Sequence, residues 1–125
     1  MNRNVKKHIN VCTLFIVMVN AKIARLVHKS LRSYDLPQCI AVDESRVDSE
    51  GVLHVAMSYK HDKIALDMIL PFDFPMTPPM FKVASYTNAQ LAAQVLHAAI
   101  CVTADGNWAP AMFVAPTLLM VYVGI

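Results

Sequence analysis

Cys101 is the residue in this chain whose type and setting best suit covalent chemistry. A thiolate is both a strong nucleophile and a good leaving group, so a cysteine can accept an acyl group and pass it on. Cys101 lies between an apolar stretch ending at Ile100 and the turn formers Asp105-Gly106-Asn107, which predicts a position at the edge of a loop rather than deep in a core. Cys12 and Cys39 sit inside apolar runs and read as structural. His97 stands four residues before Cys101, but with no orienting Asn or Asp in evidence it reads as a neighbour rather than as a protease-type partner.

Three cysteines without a CxxC pair give neither a disulfide framework nor a four-ligand zinc site, and fit a reducing compartment. The five histidines, His8, His28, His54, His61 and His97, never fall at HExxH spacing or beside a paired carboxylate. No metal site and no cofactor is expected. At 125 residues, 56% hydrophobic, with a formal charge of +2, the chain predicts one folded domain without the broad basic footprint of a nucleic-acid binder.

The elements that must position Cys101 follow from periodicity. From Lys22 the pattern is helical, with Ile23, Val27, Leu31 and Tyr34 on one stripe and Lys22, Arg25, Lys29 and Arg32 elsewhere. This predicts an amphipathic helix with a basic outer face, either simply solvated or a docking surface for a protein partner. Asp35-Leu36-Pro37 ends it. Strands are then expected at Cys39 to Val42, Val52 to Tyr59, Lys63 to Leu70 and Met80 to Ala84, the middle pair joined by a polar turn at Lys60-His61-Asp62. Gln90 to Ala99, rich in Ala, Leu and Gln, reads as helical. The expected fold class is α+β: a four-stranded antiparallel meander sheet flanked by an N-terminal helix and a helix after the cysteine loop.

Residues 1–21 form an apolar N-terminal segment of a different character. Arg3, Lys6 and Lys7 precede an apolar run from Ile9 to Val19, and Val19-Asn20-Ala21 has small-residue character, the layout of a secretory signal. The run is shorter than the roughly 20 residues of an ordinary membrane span. A packed segment and a signal or anchor are the alternatives, so a cytoplasmic or nuclear location stands against a secretory or membrane-associated one.

Between the third and fourth strands lies Leu70-Pro71-Phe72-Asp73-Phe74-Pro75-Met76-Thr77-Pro78-Pro79, a proline-stiffened connection in which Phe72, Phe74 and Met76 alternate with residues not expected to be buried. In order along the chain come this segment, a strand, Ile100-Cys101, and Trp108-Ala109-Pro110-Ala111 before an apolar helix. That series resembles the ubiquitin-conjugating enzyme family, whose pattern is Phe-Pro-x-x-Tyr-Pro-x-x-Pro-Pro, Ile-Cys-Leu and Trp-Ser-Pro-Ala. The resemblance covers about Ala24 to Ile125.

The resemblance implies that Cys101 takes ubiquitin or a ubiquitin-like protein from an activating enzyme as a thioester. Transfer to a substrate lysine then follows, with a ubiquitin ligase holding the partners together. It makes Met76, Trp108, Pro110 and Ala111 partner-binding residues on two neighbouring loops, and Phe74 a packing residue. The family's His-Pro-Asn tripeptide is missing, since Ala93 stands eight residues before Cys101. Asn88 of Tyr86-Thr87-Asn88 is then the nearest candidate for the oxyanion or loop-ordering role, with Asn107 or a backbone amide as substitutes. The chain ends soon after the helix that follows Trp108, so residues 22–125 read as a conjugating-like domain without the family's usual C-terminal helices. A noncatalytic variant that binds ubiquitin, a ligase or an active conjugating enzyme is the alternative function.

Overall fold

The computed structural model describes residues 11–110 and 113–125. The fold is α+β, with a single four-stranded antiparallel sheet in the order β1-β2-β3-β4. The strands are β1 (Ile40–Asp43), β2 (Val52–Tyr59), β3 (Asp62–Ile69) and β4 (Met80–Tyr86). Helix α1 (Val11–Ser33) precedes the sheet, a single turn α2 (Val47–Glu50) links β1 to β2, and α3 (Ala89–Thr103) and α4 (Ala115–Val123) follow it.

The two-residue alternation seen in the sequence sets the two faces of the sheet. Leu53, Val55 and Met57 of β2 and Ile64, Leu66 and Met68 of β3 all point into the core. Register pairs Val55 with Leu66 and Met57 with Ile64, so the buried side chains stand opposite one another. Strand β4 runs to Tyr86, two residues past its expected end. An irregularity at Ala65/Leu66 shifts its register, and its end is held where the Thr87 N–H donates to the Lys63 carbonyl and Thr87 Oγ1 accepts from the Lys63 N–H.

The helices close the core from one side with Ile23, Ala24 and Val27 of α1, Leu91, Val95, Ala98 and Ala99 of α3, and Leu118 and Val121 of α4. Their i, i+3, i+4 spacing places one apolar arc of each helix on the sheet. Lys22, Arg25, Lys29 and Arg32 of α1 are exposed, as the basic outer face requires. The helix starts earlier than expected, since Val11 to Ala21 continue it without a break and the boundary drawn at residues 21 and 22 falls inside one element. The proposed signal charges at Arg3, Lys6 and Lys7 lie outside the described residues. Among the described residues no helix is long and apolar enough to cross a membrane.

Two local devices join distant parts of the chain. Gly51 ends α2 with φ +66°, its N–H bonded to the Val47 carbonyl at 3.0 Å, and a Cβ there would stand 3.3 Å from Asn20 Oδ1. Only glycine adopts that conformation at no steric cost. Ser30, buried on α1, accepts hydrogen bonds from the backbone N–H groups of Val114 and Ala115 at 3.4 and 3.3 Å. Helix α4 has no cap from its own Val114, so a hydroxyl on another helix satisfies its first donors.

Candidate functional site

Helix α3 positions Cys101, and its phase decides which way the thiol faces. Leu91, Ala92, Val95, Ala98 and Ala99 are buried while Gln90, Gln94, His97 and Cys101 are exposed. At 100° per residue these last four share one solvent-facing arc. Cys101 therefore lies in the final turns of a helix that runs to Thr103, not in a loop, although that helix ends only two residues later.

The same phase brings Cys101 Sγ within 3.7 Å of His97 Nε2. The sequence spacing contained this contact, but i, i+4 neighbours are common and nothing else distinguished the pair. Asn107 also reaches this end of the helix, donating from Nδ2 to the Cys101 carbonyl at 2.8 Å. The turn that carries Asn107 depends on Gly106 at φ +86° and closes through the Asn107 and Trp108 amides on the Ala104 carbonyl at 3.0 and 3.2 Å.

Asn88 occupies the other end of α3. Its Oδ1 accepts from the Gln90 and Leu91 amides at 2.9 and 3.2 Å, and its Nδ2 donates to Asp62 Oδ2 at 3.0 Å. It is the N-cap of the helix, and thirteen residues at 1.5 Å rise put it about 20 Å from Cys101 along the axis. The oxyanion role expected for Asn88 is not met by this geometry. A helix propagates rigidly between the two residues and leaves no loop to fold back.

Trp108 follows directly on the Asn107 turn and clasps the proline loop. Its indole Nε1–H donates to the Pro75 carbonyl at 2.9 Å, and its ring lies 6.1 Å from Phe74, which itself meets Phe113 edge-on at 6.2 Å. Trp108 is half-buried, so it packs and presents a surface at once. Phe74 is the buried anchor of the loop, whereas Met76 is 69% exposed and Phe72 71% exposed. The alternation that grouped Phe72 with Phe74 fails because hydrogen-bonded turns, Phe74 N–H to Pro71 O and Met76 N–H to Asp73 O, replace the strand period. The loop is tightened further by Thr77 donating to Asp73 at 2.7 Å. Pro110 is exposed, and Ala111 lies outside the described residues.

The remaining cysteines and histidines have other settings. Cys39 is half-buried, and its proximity is the main influence that raises the Tyr122 hydroxyl above its ordinary pKa, with burial second. That hydroxyl donates to the Ser58 carbonyl at 3.1 Å, and the Tyr122 ring meets Tyr59 edge-on at 6.1 Å. On the outer face of the sheet, register aligns Asp43, His54, Asp67 and Lys82 across all four strands. His54 Nδ1 lies 2.8 Å from Asp67 and its Nε2 3.5 Å from Glu50, while His28 of α1 pairs with Glu44. Cross-strand pairing thus gives His54 carboxylate neighbours that linear spacing concealed. Among the described residues no group of three or more His, Cys, Asp or Glu could hold a metal ion.

Fold and site together define a small α+β domain with an exposed cysteine and histidine beside two interlocked loops. Comparison with protein-family models, with curated proteins and with solved structures found no match to this chain.

Proposed function

We propose that this chain is a conjugating transferase for ubiquitin or a ubiquitin-like protein. Cys101 accepts the modifier's terminal carbonyl from an activating enzyme as a thioester and transfers it to a substrate lysine, in the cytoplasm or nucleus. One observation carries the reading: the helix end that bears the exposed thiol is tied to the two candidate partner loops. Asn107 donates to the Cys101 backbone carbonyl, and its chain neighbour Trp108 donates through the indole to the carbonyl of Pro75, next to Met76. A protein-sized acyl donor needs an open thiol, and Cys101 is exposed. A ligase held on Met76, Trp108 and Pro110 would fix an acceptor lysine near that thiol, and proximity of this kind supplies much of the rate.

A noncatalytic module of the same fold, binding ubiquitin or a ligase through the same loops, is the second reading. It is favoured by Asn88, whose amide is engaged at the far end of α3.

The test is thioester loading. With activating enzyme, ATP and a panel of modifiers, wild-type protein should give an adduct on a nonreducing gel that thiol reductant removes. Cys101→Ser should abolish that adduct or replace it with a reductant-resistant oxyester. Folded protein that forms no adduct with any modifier would exclude the transferase and leave the binding module.

A further inference from the structure

We infer that His97 is the proton acceptor and donor for Cys101, so that the two side chains form an acyl-transfer pair on the outer arc of α3. The inference deepens the thioester reading and rests on it for the identity of the acyl group, but the pair itself stands on geometry. Nε2 is 3.7 Å from Sγ, within reach of an S–H···N hydrogen bond, whose longer span reflects the size of sulfur. This is the direct contact that a nucleophile and its base require.

The helix sets the spacing of the pair, and the packing beneath it sets which way the pair faces. Leu91, Val95, Ala98 and Ala99 are 4%, 0%, 6% and 1% exposed, so α3 cannot roll about its axis without lifting its apolar arc from the sheet. The helix is pinned at its start by the Asn88 cap and at its end by Asn107 on the Cys101 carbonyl. His97 and Cys101 stand one helical turn apart, and this orientation of α3 leaves both residues exposed.

The proton balance is simple. As sulfur attacks an acyl thioester, the S–H proton passes to Nε2, a C–S bond forms to the carbonyl carbon, and the donor's C–S bond breaks. The donor's departing thiolate takes the proton from the imidazolium. When a primary amine attacks the new thioester, the C–N bond forms, the Cys101 C–S bond breaks, and the surplus ammonium proton moves to His97 and then to Sγ. No oxidant, reductant or metal enters. The imidazole is exposed and can exchange its proton with water between the two half-reactions.

Two measurements test the inference separately from the modifier reading. The first is alkylation of Cys101 by iodoacetamide at pH 7, followed peptide by peptide so that Cys12 and Cys39 do not contribute. His97→Gln should slow it by roughly tenfold or more, a smaller factor than the roughly 10²–10⁴ that a positioned base contributes to a full catalytic step. His97→Ala should be slowed similarly and partly restored by imidazole in the buffer. An unchanged rate in His97→Gln overturns the inference, and so does a loss that imidazole leaves unrepaired, since that marks a structural role. The second is thioester loading at neutral pH. If the wild-type chain loads a modifier and His97→Gln loads at the same rate, His97 is not the base although the transferase reading stands. If alkylation follows the expected pattern and no modifier loads, the pair stands and the transferase reading fails.

Discussion

Replacing Trp108 tests whether the two loops beside Cys101 form one surface. In Trp108→Phe the aromatic contact with Phe74 is largely kept, while the Nε1–H donor to the Pro75 carbonyl, 2.9 Å away, is lost. A hydrogen bond of this kind contributes about 1 kcal/mol net. Trp108→Ala also removes the aromatic pair, about 0.5–1.5 kcal/mol, and part of the ring's burial. Full Trp→Ala truncation in a core costs about 3–5 kcal/mol, but Trp108 is only half-buried, so about 2–3 kcal/mol is expected in total. For a domain of this size each kcal/mol lowers the melting temperature by about 3–6 °C.

Urea titration and thermal melts followed by far-UV circular dichroism would measure both changes. Trp108 is the chain's one tryptophan, so wild-type fluorescence also reports the loop directly. In the phenylalanine variant, the freed Pro75 carbonyl should leave Met76 and its loop less ordered, which under the proposed transferase function would weaken ligase binding more than thioester loading. A Trp108→Phe variant within about 0.3 kcal/mol of wild type would refute the clasp, because the net value of its hydrogen bond would then be absent.

Ser30→Ala removes the acceptor for the Val114 and Ala115 amides and should cost about 1 kcal/mol, as loss of a helix cap does. Chemical denaturation reads this, and an unchanged midpoint would mean that α4 needs no acceptor from α1. Hydrogen bonds from the Ser45 hydroxyl and then its backbone N–H hold the Asp43 carboxyl below its ordinary pKa of 3.8. The folded chain therefore gives up that proton more readily than the unfolded one, so the contribution is complete above the ordinary value and disappears as pH falls through the lowered one. Stability measured from pH 2 to 6 should lose part of its acid dependence in Ser45→Ala, and identical profiles would refute the assignment.

The sheet was legible because its apolar residues alternate without interruption. Leu53, Val55 and Met57 against Ile64, Leu66 and Met68 leave little choice of register, since a one-residue slip would turn all of them outward. The amphipathic character of α1 was equally plain, but its start was not. Val11 to Ala21 are mostly apolar in sequence, and composition alone does not separate the beginning of a long helix from a separate segment. The turns of the proline loop were also misread at Phe72, because hydrogen bonds to Pro71 and Asp73 carbonyls, rather than a strand period, direct its side chains.

Sequence by itself determined the α+β meander and the choice of Cys101 as the thiol to test. These follow from periodicity, turn chemistry and residue type, which are local properties. Only the tertiary structure decided what surrounds the thiol. The roll of α3 on the sheet turns the arc shared by His97 and Cys101 to solvent, the Gly106 turn returns Asn107 to the Cys101 carbonyl, and the helix axis carries Asn88 away to a capping role. The physical reason is that a helix fixes spacing while its packing fixes phase and ends, and both phase and ends depend on residues far away in the chain.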